Sequence, residues 1–134
     1  MTRLQKALAA TLTLAALCGC ARQAPVPDVF PETLGGWHRV EQHEVPAGQA
    51  PDAVHGKIER ILAASYEGPG KLEARVYVLP TPAEALDAAQ KWPARADTVY
   101  FYRDRFFVVV AWQTAERKSL QPFVSALQGR FERK

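Results

Sequence analysis

Residues 97–112, DTVYFYRDRFFVVVAW, decide the fold. Two arms rich in aromatic and β-branched side chains flank Arg103-Asp104-Arg105, a polar break short enough to close a hairpin. The second arm, from Phe106 to Trp112, is apolar on both of its alternating sides, so both faces need cover and the arm belongs inside a sheet. Upstream, Thr81-Pro82-Ala83-Glu84 reads as a helix start, with threonine as cap, proline in the first turn and glutamate three residues on. That helix should run to about Trp92, turn Ala85, Leu86, Ala89 and Trp92 inward, and stop at Pro93.

Before it, IERILAASYE and KLEARVYVLP read as two strands around Gly68-Pro69-Gly70. In the second, Leu72, Ala74, Val76 and Val78 alternate with Glu73, Arg75 and Tyr77, the period of a strand with one buried face. After the aromatic hairpin, Leu120, Phe123, Val124, Leu127 and Phe131 form one helical stripe, on a helix expected from near Ser119 so that Pro122 falls in its first turn. The run from Trp37 to Val45 has no convincingly apolar face and suits an edge strand. Residues 47–57 should add a helical turn or two, ended by Gly56.

The element order is thus a weak strand, a short helix, then ββαββα. Hairpins imply antiparallel pairing. The expectation is an α+β fold whose sheet, built from two hairpins, carries its two longer helices on one face.

The N-terminal part addresses the chain. Arg3 and Lys6 precede an uncharged run, ALAATLTLAAL, the two-part start of a secretory signal peptide. The run is shorter than the roughly 20 apolar residues a membrane span needs. Leu17-Cys18-Gly19-Cys20 resembles the lipobox of bacterial lipoproteins, with Cys18 where Ala, Ser or Thr is commoner. The resemblance implies cleavage after Gly19 and a diacylglycerol on Cys20, with Cys18 discarded. Two or more acyl chains anchor stably where one does not. Ala21 rather than Asp after the lipidated cysteine implies, by the rule for such lipoproteins, an outer-membrane location facing the periplasm.

The reading divides the chain into signal peptide 1–19, lipidated cysteine and proline-rich tether 20–31, and a single domain 32–134. Removing Arg3 and Lys6 from 17 basic residues leaves 15 against 14 acidic ones, a net of +1. That balance, together with export, excludes nucleic acid as the expected partner.

FPETLGGW, SYEGPG before an alternating strand, an alanine-rich helix ending in KW, and TVYFYRDRFFVVV together resemble a family of uncharacterised bacterial envelope proteins over most of residues 30–131. The opening F-P-x-x-L-G-x-W also resembles proteins associated with exosortase and polysaccharide export. Their downstream motif containing His and Cys is missing here, so that function is not carried over.

Catalytic signatures are sparse. His38 and His43, five apart on a strand, should lie on opposite faces, and His55 adjoins a glycine, so no metal site is expected. The serines lack a nucleophile elbow, and no phosphate-binding loop is present. Neither an enzyme nor a cofactor is expected.

The aromatic content of the hairpins points instead to recognition. If Leu72, Ala74, Val76 and Val78 meet the helices, Arg75 and Tyr77 face away, and Tyr100, Tyr102 and Trp112 can join them as an exposed surface for an envelope protein. The leading expectation is a lipid-anchored interaction module. The alternative is a carrier or sensor of a small apolar or glycan ligand held against the sheet.

Overall fold

The computed structural model describes residues 28–54 and 57–132. Residues 1–27, which hold the expected signal peptide, Cys18, Cys20 and the first part of the expected tether, and the His55-Gly56 pair lie outside the described residues.

Strand pairing builds one antiparallel half-barrel of six strands. In chain order these are β1 (Thr33–Leu34), β2 (Trp37–Val45), β3 (Arg60–Glu67), β4 (Lys71–Val78), β5 (Thr98–Arg103) and β6 (Phe106–Thr114). A single 3-10 turn, Ala47–Gln49, follows β2. Helix α1 (Pro82–Lys91) precedes β5, and α2 (Arg117–Arg130) follows β6. Across the sheet the order is β1-β2-β3-β4-β6-β5, which puts β6 inside, as its two apolar faces require.

The fold is not the expected two-hairpin ββαββα core with both helices on one face, because β1 and β2 extend the hairpins into a six-stranded sheet and the helices lie on opposite faces. Leu72, Ala74, Val76 and Val78 pack with Val108, Val110 and the α2 residues Leu120, Phe123 and Leu127. Tyr77, Phe107 and Val109, on the other face, pack with Ala85 and Ala88 of α1. The physical reason lies in β6, whose Phe106-Phe107-Val108-Val109-Val110 is buried throughout, so each face had to receive a helix. Within α1 the buried residues are Ala85 and Ala88, with Ala89 and Trp92 partly covered, while Leu86 points outward at 39% exposure.

The α2 face is closed by the N-terminal stretch. Val29 and Phe30, read in the sequence as the end of the tether, are 2% and 1% exposed and belong to the core. Two glycines then turn the chain, with φ of +59° at Gly35 and +88° at Gly36. Trp37 is fully buried, and its indole Nε1 donates to the Ser119 carbonyl of α2 at 3.1 Å. Gly35 seats directly on α2, where a Cβ would come within 2.6 Å of the Pro122 oxygen. The Tyr66 hydroxyl donates to the Pro31 carbonyl at 2.6 Å and Arg39 donates to the Phe30 carbonyl, so side-chain hydrogen bonds pin the whole FPETLGGW stretch to the sheet. Helix α2 starts at Arg117, earlier than expected, and Pro122 therefore stands in its second turn.

A bulge between Arg39 and Glu41 makes Val40 the extra residue of β2. It moves Glu41, His43 and Val45 to the α1 face while Trp37 and Arg39 stay on the α2 face. Simple alternation from Trp37 to His43 therefore fails. His38 opposes Glu67 and His43 opposes Ala63, both on the α1 face.

Candidate functional site

Helix lengths set what remains open. Helix α1 has ten residues, about 15 Å at 1.5 Å per residue, whereas the nine-residue β6 beneath it spans about 30 Å. The helix is a firm stop on that length. Thr81 Oγ1 accepts from the Glu84 amide at 3.3 Å and donates to the Glu84 carboxylate at 3.0 Å, which caps the start, and Pro93 follows Trp92 at the end.

Helix α1, together with Ala50 and Val54 of the segment after β2, covers the end of the face that carries Val45, Ile61, Tyr77 and Phe107. The other end stays uncovered. There the same-face residues change in step, from Ile61 and Ala63 to Ser65 in β3, from Tyr77 to Arg75 and Glu73 in β4, and from Phe107 and Val109 to the small Ala111 in β6, beyond which a second bulge, at Gln113, sets Thr114 opposite Lys71.

The uncovered end holds two adjoining depressions that share Asp97 and Ala111. The first, about 470 Å³, lies over Glu41, Ser65, Glu73, Ala111 and Gln113, with Glu67 and Lys71 at its rim. The second, about 720 Å³, runs past Thr98 and Val109 to Trp92, Pro93, Lys91 and Arg95. Both fall within the roughly 300–1,000 Å³ of ordinary ligand sites.

Small side chains make the floor, and carboxylates, a hydroxyl and an amide stand around it. Glu73 holds Arg75 through its Nε at 3.1 Å, and Glu41 lies 3.4 Å from His43. Burial works against the charge on Arg75, but Glu73 and the Tyr77 hydroxyl outweigh it and raise its pKa. Burial also raises the Tyr77 pKa, partly offset by Arg75, so this phenol stays neutral.

The five residues expected to form one exposed surface are separated. Tyr77 is 2% exposed, packed between Trp92 and Phe107 with ring centroids 5.6 and 6.1 Å away. Tyr100 is half-buried against Phe107 on the same face. Arg75 is half-buried beside Glu73, and Tyr102 alone is a largely exposed ring, at 43%. Trp112 belongs to the other face, against the α2 cluster.

Among the described residues, no group of three or more His, Cys, Asp and Glu side chains is placed to hold a metal ion, and no helix is long and apolar enough to cross a membrane. No family model, curated protein or solved structure matches this chain. The resemblance carried by FPETLGGW and its companion motifs therefore assigns no function, and those motifs find their use in packing.

The cleft residues Glu41, Ser65, Glu73, Asp97 and Ala111 were not marked out by any motif. Their signal was the simultaneous change from apolar to polar along neighbouring strands, which becomes visible only when the register is known.

Proposed function

We propose that the chain is a lipid-anchored protein of the bacterial envelope, held by Cys20 at the outer membrane and facing the periplasm, whose domain binds a glycan without chemical transformation. The anchor rests on the MTRLQK start, the uncharged run and LCGC. The ligand class rests on the open cleft.

One observation carries the binding reading. The two depressions meet at Ala111 and Asp97, forming a channel along the uncovered half of the sheet rather than a closed cavity. A channel open along its length suits an extended chain. Its lining separates the candidate ligands. Carboxylates, Ser65, Thr98 and Gln113 offer acceptors and donors to hydroxyl and amide groups, whereas a small apolar ligand would strip water from these groups and offer nothing in its place. Glu41, Glu67, Glu73 and Asp97 against Lys71 make the first depression acidic, which disfavours acidic polysaccharides. An uncharged N-acetylhexosamine polymer meets both conditions. Docking of an envelope protein through Arg75, Tyr77, Tyr100, Tyr102 and Trp112 has less support, since those side chains do not share a surface.

Calorimetric titration with a β-1,4-linked N-acetylhexosamine oligosaccharide tests this. The native chain should bind it, and Ala111→Trp, which fills the junction of the two depressions, should weaken binding at least tenfold with its melting transition retained. Failure of the native chain to bind, or equal affinity in Ala111→Trp, would refute the reading.

A further inference from the structure

The two edges of the sheet are built differently. The free part of β2, from Glu41 to Val45, is guarded by the bulge at Arg39/Glu41 and by Glu41, Gln42, His43 and Glu44. These are the devices that keep an edge from recruiting another strand. At the opposite edge β5, TVYFYR, has no bulge against β6, no proline and no lysine.

Its unused backbone groups follow from the register. Trp112 donates its amide to the Asp97 carbonyl, so Asp97, Val99, Phe101 and Arg103 turn their peptide groups toward β6. Tyr100 and Tyr102 then turn N–H and C=O outward, as does the Thr98 carbonyl, while the Thr98 amide already bonds Arg95.

We propose that β5 pairs with β5 of a second copy of this chain, antiparallel about a two-fold axis at Tyr100, joining the two sheets into one. In that register Tyr100 opposes Tyr100 of the second copy and exchanges both hydrogen bonds with it. The Tyr102 amide meets the Thr98 carbonyl of the second copy, and the symmetric bond repeats this.

The side chains agree. On the α2 face Val99 opposes Phe101 of the second copy, apolar against apolar. A recess of about 290 Å³ bounded by Val99, Trp112, Leu120 and Val124 lies beside that position and gives the incoming ring a place to pack. At the strand ends Asp97 stands opposite Arg103 of the second copy, twice by symmetry. Both are exposed, at 53% and 44% of their side chains, and their contacts within the chain are long, Arg95 to Asp97 at 3.5 Å and Arg103 to Glu132 at 3.6 Å, apart from the bond Asp97 accepts from the adjoining Thr98 hydroxyl at 3.1 Å.

Neighbouring registers that keep the outward groups paired are worse. Shifting by two residues one way sets Asp97 opposite Phe101, and the other way sets Arg103 opposite Val99, a charge against an apolar side chain in either case. Charge and apolar complementarity therefore select a second copy and one register.

Two copies of the full chain with different C-terminal tags, co-expressed and captured through one tag, test the proposal. The native copies should co-purify. Asp97→Arg alone and Arg103→Asp alone should each reduce capture at least fivefold, and the two changes combined in one chain should restore it. Tyr102→Pro, which removes an outward amide and no hydrogen bond within the chain, should abolish capture, whereas Tyr102→Ala should retain it. Absence of co-purification by the native copies would overturn the proposal. So would capture unaffected by both charge reversals, or single reversals whose combination restores nothing; these residues are exposed, so their variants keep the fold, as a melting scan checks.

Discussion

The turn Gly35-Gly36 offers a comparison in which one glycine acts as control for the other. Both have positive φ, +59° and +88°, so alanine at either position forces an L side chain toward left-handed backbone, at about 1–2 kcal/mol. Their surroundings differ. A Cβ on Gly36 meets nothing within 4 Å, whereas one on Gly35 would lie 2.6 Å from the Pro122 oxygen and 2.7 Å from the Phe123 Cα and N. Those are backbone atoms of α2 and cannot step aside as a side-chain tip can. Separating the turn from the helix also disturbs the bond from Trp37 to Ser119, so overpacking adds about 1–3 kcal/mol.

Gly36→Ala should therefore lose about 1–2 kcal/mol and Gly35→Ala about 2–5 kcal/mol, against a domain stability on the order of 5–15 kcal/mol. Urea unfolding followed by tryptophan fluorescence reads both, provided the slope against denaturant stays equal across the variants. Equal midpoints for the two variants would refute the seating of FPETLGGW on α2 and, with it, the closure of that face.

Further outcomes follow from the two cores, from Tyr66 and from the anchor. Phe123→Ala, at a fully buried ring 5.0 Å from Tyr66 and 6.1 Å from Trp37, should lower stability by about 3–5 kcal/mol in the same unfolding assay. Tyr102→Ala, at the exposed edge, should stay within about 0.5 kcal/mol of the native chain. Burial pushes the Tyr66 pKa up to about 12. Its neutral form is favoured in the folded state, so its contribution is fully present below the ordinary phenol value near 10 and is lost as pH rises through the folded value. Stability measured across that window should fall more steeply for the native chain than for Tyr66→Phe. Cys20→Ser should abolish incorporation of labelled palmitate, while Cys18→Ser should still be processed and membrane-bound.

Much of the sheet was legible because local patterns agreed with global needs. The Thr81 cap, the turn at Arg103-Asp104-Arg105 and the doubly apolar Phe106–Val110 run each admit one structural use, and each takes it. The stripe Leu120, Phe123, Leu127 and Phe131 is buried as its spacing requires.

What failed was knowledge that depends on register or distance. The extra residue Val40 inverts the alternation of β2, and no residue type announces a bulge there. Burial of Val29 and Phe30 depends on a turn that folds them back onto the sheet, so a proline-flanked segment read as tether supplies core. The side on which α1 lies is set by Tyr77 and Phe107, whose faces could be assigned only once β4 was known to pair with β6. The same pairing brings Glu73 beside Ala111 and so creates the cleft, whose open ground is polar where the sequence pattern points to aromatics.

The central claim is that the uncovered half of the α1 face is where ligand is held. Amide chemical shifts of the isotope-labelled chain, followed while the N-acetylhexosamine oligosaccharide is added, test it most directly. The account predicts saturable shifts confined to Glu41, Ser65, Glu73, Asp97, Thr98 and Ala111 and their strand neighbours, with the α2 face unmoved. Shifts centred on α2 or the FPETLGGW stretch, or none at millimolar oligosaccharide, would contradict it.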